Sequence, residues 1–189
     1  MTAPNPIRLG AIVGSLRVGS FHRTVFENAV SVLDDDVSMR EIPIVELPFF
    51  NEDLEGPDGP GVIRDYQTAV GAVDGLVFFS PEYNGGVPAV TKNAVDWASR
   101  PRGDAPIHGL PILVVGATPG RHEVANVRQA LAHTAQSAGG RVFERSLGLA
   151  SISRRIEDGH CDAEILDELS SILRDFVAFV RVPIDEPAD

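Results

Sequence analysis

A chain of 189 residues, 43% of them hydrophobic, can bury a sizeable core in one domain of ordinary size, which excludes a disordered chain. The formal net charge of −11 argues against a nucleic-acid backbone or an anionic membrane surface as the main partner, although one local arginine can still hold a small anion. The lone cysteine, Cys161, rules out an intramolecular disulfide. With no cysteine–histidine metal spacing, no leader and no apolar run near the ~20 residues of a membrane span, the expectation is a cytoplasmic protein without a metal.

In chain order, Ile7–Val13 is a β-rich run and the first predicted strand. A helix follows from Ser20, a good N-cap residue, with Val25, Phe26, Ala29, Val30 and Leu33 at helical spacing. Asp34-Asp35-Asp36 closes it as a solvated turn. A second strand falls within Val37–Val45, its end blurred by Pro43. Phe49–Gly61 is a long loop rich in Gly, Pro and acidic residues, and Ile63–Val73 reads as helix. Leu76–Phe79 is strand three, and Val87–Arg100 a helix burying Val90, Ala94, Trp97 and Ala98. Leu110–Ala117 is strand four, Glu123–Ser137 a helix and Arg141–Phe143 a short fifth strand. Asp162 caps a last helix with the core face Ile165, Leu169, Ile172, Phe176 and Val180.

Strands alternating with helices predict a parallel sheet with right-handed crossovers, layered as an α/β three-layer sandwich. Five strands in this rhythm fit the flavodoxin-like doubly wound order 2-1-3-4-5, a single domain over residues 1–189. The switch point of that order lies between strands one and three. Open sheets bind ligands there, outside the carboxyl ends of the strands.

Three loops occupy that edge. Gly14-Ser15-Leu16-Arg17-Val18-Gly19-Ser20 follows strand one. Backbone N–H groups at a helix start favour an anion, Ser15 and Ser20 add hydroxyls, and Arg17 adds a fork matched to phosphate oxygens. The same residues also suit a plain tight turn, and the loop is neither a Walker A sequence nor a dinucleotide fingerprint. Pro81-Glu82-Tyr83-Asn84-Gly85-Gly86 follows strand three. N–H groups from Glu82 to Gly86 can reach the carbonyls and nitrogens of a flat heteroaromatic ring, with Tyr83 supplying an apolar body; a turn whose Tyr and Asn cap their neighbours is the alternative. Gly116-Ala117-Thr118-Pro119-Gly120 follows strand four. His108, His122, His133 and His160 suit surface positions, Trp97 the core and Cys161 a helix start.

Together these segments resemble the NAD(P)H-dependent FMN reductase family, flavodoxin-like proteins that include quinone, chromate and azo-dye reductases. The stretch Gly14 to Arg23 is similar to that family's phosphate loop, and Ser80 to Pro101 to its flavin-ring loop and following helix. The order of elements matches over nearly the whole chain. The resemblance implies a non-covalent FMN, NADPH or NADH as co-substrate, and a homodimer or dimer of dimers. It implies hydride transfer through the flavin to a small acceptor: a flavin, a quinone, an azo compound or a metal oxyanion. Ser15, Arg17, Ser20, Phe21 and His22 then belong to the phosphate site, Pro81, Glu82, Tyr83, Asn84 and Gly85 to the ring, and Thr118, Pro119 and Gly120 to its other edge. No protein acid–base set is expected, because the cofactor carries the chemistry. His22 stands where the family commonly has Asn, and Arg121 to Arg128 departs from the family's glycine pair and Arg-Ala-Gln segment. Two rival readings are a flavodoxin-like electron carrier serving a protein partner and a flavin-free binding module.

Overall fold

The computed structural model describes residues 5–183. Residues 1–4 and 184–189, the two ends of the expected domain, lie outside the described residues. Four longer strands form the body of a six-stranded sheet: β1 (Ile7–Val13), β2 (Val37–Glu41), β3 (Gly75–Ser80) and β4 (Pro111–Ala117). β3 and β4 are continuous apolar runs because both of their faces are covered. Along β3, Val77 and Phe79 point to one face while Leu76 and Phe78 point to the other, all fully buried.

Five helices cover the faces: α1 (Phe21–Ser31), α2 (Gly61–Gly71), α3 (Ala89–Ala98), α4 (Ala125–Ser137) and α5 (Ala163–Val180). Val25 and Ala29 of α1 join Ile165, Leu169 and Phe176 of α5 in one core layer. Tyr66 of α2, Trp97 of α3 and Leu131 of α4 lie in the other. Each fully buried Phe or Leu in these layers stabilises the fold by roughly 1.5–3 kcal/mol, before cavity costs are counted. Asp162 caps α5 as its sequence predicts, its carboxylate accepting from the Ile165 N–H at 2.9 Å.

The strand order is β2-β1-β3-β4 followed by β5 (Arg141–Val142), with every neighbour parallel. A sixth strand, β6 (Leu147–Leu149), adds to β4 beyond β5, pairing Val115 with Leu147. It goes beyond the five strands expected. A small antiparallel hairpin, β7 (Ile156–Glu157) with β8 (His160–Cys161), precedes α5. Cys161 therefore ends a hairpin strand, where it is buried and its N–H donates to Asn28 Oδ1 at 3.0 Å.

The Phe49–Gly61 segment folds back on the chain. Phe50 packs edge-on against Trp97 with ring centroids 4.9 Å apart, and Leu54 joins the same core layer. The indole N–H of Trp97 donates to the Pro48 carbonyl at 2.8 Å, and Asn93 holds Pro48 and Phe50 from both sides of its amide. Of the three apolar residues expected on this arm, Phe49 alone stands free, 78% exposed.

Candidate functional site

Strand order reverses at β1, so the carboxyl ends of β1 and β3 mark the switch point at which open sheets bind ligands. The loop after β1 is fixed at its base and open at its tip. The Gly14 N–H donates to the Phe79 carbonyl at 2.8 Å, so the loop leaves directly beside β3. Ser15 is buried, Leu16 to Gly19 are exposed, and Ser20 is buried again at the start of α1. Among the described residues the guanidinium of Arg17 reaches only the Gly19 carbonyl, at 3.5 Å, and is free to turn toward a ligand.

Ser20 is the N-cap of α1 in extended conformation, yet its hydroxyl makes no cap hydrogen bond. Its Oγ is buried without a partner, a state that costs free energy unless something fills it. The Thr91 hydroxyl, on the first turn of α3, is buried and unpartnered as well. It presses on Gly14, where a Cβ would stand 2.2 Å from Thr91 Oγ1. An anionic group seated on the first turn of α1 would satisfy Ser20, meet the free helix N–H groups and lie within the sweep of Arg17. The donor set therefore fits a phosphate.

The loop after β3 is a tight hairpin turn. Asn84 and Gly85 take positive φ values of 53° and 75°, the pair of left-handed residues that a type I′ turn requires. Tyr83 and Gly86 close it by exchanging both backbone hydrogen bonds, at 3.2 and 3.0 Å. This corrects the expected row of free donors: the N–H groups of Tyr83 and Gly86 serve the turn itself. Those of Glu82, Asn84 and Gly85 have no partner among the described residues. The Tyr83 side chain is 47% exposed, and its hydroxyl lies 3.4 Å from Ser15 Oγ, linking the two loops.

Glu82 is engaged by the start of α4. Its carboxylate accepts from the Val127 N–H at 3.1 Å and from the Asn126 amide at 3.3 Å, capping the start of α4. The helix start is itself displaced from the predicted Glu123 to Ala125, because Val124 sits in left-handed backbone at φ 48°. A β-branched residue there is strained.

The loop after β4 is laced to the segment behind β6. The Thr118 N–H donates to the Leu149 carbonyl, the Ile152 N–H to the Thr118 carbonyl and the Ser151 N–H to the Gly120 carbonyl. Thr118 Oγ1 accepts from the Gly120 N–H at 3.1 Å, and Pro119 is exposed at the tip. Glu82, Thr118, Gly120, Arg121 and Arg128 line an open cleft of about 730 Å³ against this loop. A smaller pocket of about 200 Å³, between Leu54, Ile63 and Trp97, shares no residue with the three loops.

His22 differs from its expected place among the phosphate contacts. It is 5% exposed, on the first turn of α1, and its Nε2 accepts from the Ala117 N–H at 3.2 Å. Burial pushes its pKa down to about 4, with the nearby Arg17 charge acting in the same direction. The ring is neutral at physiological pH and its acceptor nitrogen is already taken. Phe21 beside it packs partly buried on the α1–α5 core layer. The remaining histidines, 108, 122, 133 and 160, are exposed as predicted.

Three features had no adequate local signal: the Glu82 cap on α4, the lacing of Thr118 to Leu149 and the pressure of Thr91 on Gly14. Each joins residues more than thirty positions apart or spans two loops, so periodicity and turn chemistry are silent about them.

The family model for NADPH-dependent FMN reductase matches residues 7–152. A NAD(P)H-dependent FMN reductase of Pseudomonas aeruginosa is 34% identical over 128 residues, which cover 68% of this chain and 69% of that protein. A 2-hydroxy-1,4-benzoquinone reductase of a Burkholderia species is 36% identical over 114 residues, 60% of this chain and 62% of its own length. Among solved structures, the flavoenzyme NAD(P)H:(acceptor) oxidoreductase FerB of Paracoccus denitrificans superposes with a TM-score of 0.83 at 25% identity, covering 92% of this chain and 97% of that one. A flavodoxin variant of Pseudomonas aeruginosa, at 13% identity and TM-score 0.60 over 93% of this chain and 100% of its own, shares the fold.

Proposed function

The chain belongs to the NADPH-dependent FMN reductase family, and from that premise we propose that it holds FMN non-covalently across its three strand-end loops and passes hydride from NADPH or NADH to a small acceptor. The acceptors in view are free flavin, quinones, azo compounds and metal oxyanions. The observation that carries the reading is the buried, unpartnered hydroxyl of Ser20 at the start of α1, beneath a loop whose arginine is free. When bound, FMN supplies the hydride-accepting and hydride-donating ring.

The chain's own part is binding and orientation. Ser15, Ser20 and Arg17 hold the phosphate, with the first turn of α1 supplying N–H groups. Pro81 to Gly85 border the ring, where the free N–H groups of Asn84 and Gly85 face a polar edge. Thr118 to Gly120 close the opposite side. Two titratable side chains at these loops are committed to the fold, Glu82 to α4 and His22 to Ala117, which supports a reading in which neither serves as an acid or base. Tyr83 stays half-exposed, suited to one open face on which co-substrate and acceptor stack in turn.

The protein is further read as cytoplasmic and as a homodimer or dimer of dimers. No described helix is long and apolar enough to cross a membrane. Leu16, Val18, Val45, Phe49 and Tyr83 present large apolar side chains to solvent in segments that follow β1, β2 and β3, a surface suited to a second copy.

The test is an absorbance spectrum of the FMN-loaded protein before and after NADPH or NADH, followed by steady-state rates at varied nucleotide and quinone. Bleaching without a partner reductase and parallel double-reciprocal lines are expected. Bleaching that needs a partner reductase would make the protein an electron carrier, and failure to bind added FMN would make it a flavin-free module. Intersecting lines would refute the shared open face.

A further inference from the structure

The ladder between β3 and β4 ends where Ser80 faces Gly116. The next donor on β4, the Ala117 N–H, passes beyond that ladder at the point where the third loop begins. A buried N–H left unpaired there would loosen the strand end. His22 meets it from α1, with Nε2 accepting at 3.2 Å. His22 itself lies two residues after Ser20, at the end of the first loop. One side chain thus joins the end of the first loop to the root of the third, and it is nearly buried in doing so.

We propose that His22 is a positioning residue: its ring ties the start of α1 to the end of β4 and so fixes the spacing of the first and third loops. A neutral ring can accept the Ala117 N–H at Nε2 in one tautomer only, with its proton on Nδ1. The ring touches no ligand and acts through the loops it holds. Glutamine can imitate it, having one acceptor and one donor on a side chain that reaches as far as Nε2. Leucine fills the space and offers neither.

The consequence for FMN rests on the proposed function; the bracket itself does not. The first readout is therefore amide hydrogen exchange on FMN-free protein. In His22→Leu, exchange across 117–120 should rise tenfold or more relative to the native chain, while His22→Gln stays within about threefold. The second readout is FMN titration by flavin fluorescence, in which His22→Leu should bind at least tenfold more weakly and His22→Gln should recover most of the loss. The third needs no variant: nitrogen NMR of the native protein should show Nδ1 protonated and Nε2 bare. An Nε2-protonated ring, unchanged exchange in His22→Leu, or unchanged FMN affinity in His22→Leu would overturn the proposal. Native protein that shows the bracket by exchange and NMR but binds no FMN would overturn the functional reading alone. Should His22→Leu fail to fold, the tautomer and the behaviour of His22→Gln decide the matter.

Discussion

Gly14 is where the loop after β1 meets α3, and replacing it with alanine tests the packing directly. Its φ is not positive, so alanine brings no backbone strain, and the cost is steric. The new Cβ would stand 2.2 Å from Thr91 Oγ1 and 3.3 Å from Ser80 Oγ, against ordinary contact at 3.4 Å or more. Thr91 is fully buried and cannot swing into solvent, so the start of α3 or the loop must give by more than an ångström. Overpacking of this kind costs about 1–3 kcal/mol, partly offset by roughly 0.4–1 kcal/mol from a stiffer unfolded chain. Thr91→Ala removes the obstructing oxygen. It loses one buried methyl, about 0.8 kcal/mol, but also relieves a hydroxyl that has no partner, so its own cost should be small. Gly14→Ala should therefore destabilise the native chain by about 1–2 kcal/mol and the Thr91→Ala chain by close to nothing, a coupling of at least 1 kcal/mol in urea unfolding of FMN-free protein. Equal costs in the two backgrounds would refute the claim that Thr91 sets the position of the loop.

Arg17→Ala removes a charge-assisted phosphate contact worth roughly 1.5–3 kcal/mol and should weaken FMN binding by about ten- to a hundredfold; unchanged affinity by titration would remove Arg17 from the site. His22 takes a proton at about pH 4 when folded but at 6.5 when unfolded, so the unfolded state binds it first as pH falls. Stability present above pH 6.5 should decline by roughly 3 kcal/mol between 6.5 and 4 relative to His22→Gln, and identical pH profiles for the two proteins would contradict the burial of a neutral ring. Phe49→Glu should shift a dimer toward monomer in light scattering at micromolar concentration, since the side chain stands free of its own core; a native protein already monomeric there would count against the proposed homodimer.

Legibility in the sequence followed the range of the forces involved. β1 could be read to the residue at Ile7–Val13 from its β-rich run, and β3 and β4 to within one residue because strands buried on both faces are almost wholly apolar. The three loops and their edge followed from strand order alone. β6 was missed because three residues, Leu147–Leu149, carry no pattern of their own; they become a strand only because the edge of β4 is free beside them. The β7–β8 hairpin was signalled by Asp158-Gly159, both at positive φ, a turn dipeptide that strands of two residues were too short to frame. Val124 moved the start of α4 by taking a backbone state that no propensity favours, under the hold of Glu82 from another loop.

The same division explains why the candidate site was half-legible. Its outward donors are local: Arg17, Asn84 and Gly85 announce themselves by residue type. Its inward supports are not. His22 reaches 95 positions along the chain to Ala117, and Glu82 reaches 45 to Val127. A polar residue just after a phosphate-type loop reads most simply as one more phosphate contact, and only burial reveals that its acceptor faces the protein. Ser20 carries the converse lesson: a serine at a helix start reads as a cap, yet its oxygen caps nothing and is left for something else to satisfy. Ligand contact is thus assigned more soundly by asking which buried polar atoms lack a partner than by proximity to the loop. By that criterion Ser20 outranks His22 as a residue that meets the cofactor, and substitutions at the two positions should separate accordingly, Ser20→Ala acting on FMN affinity with little effect on loop exchange and His22→Leu acting on both.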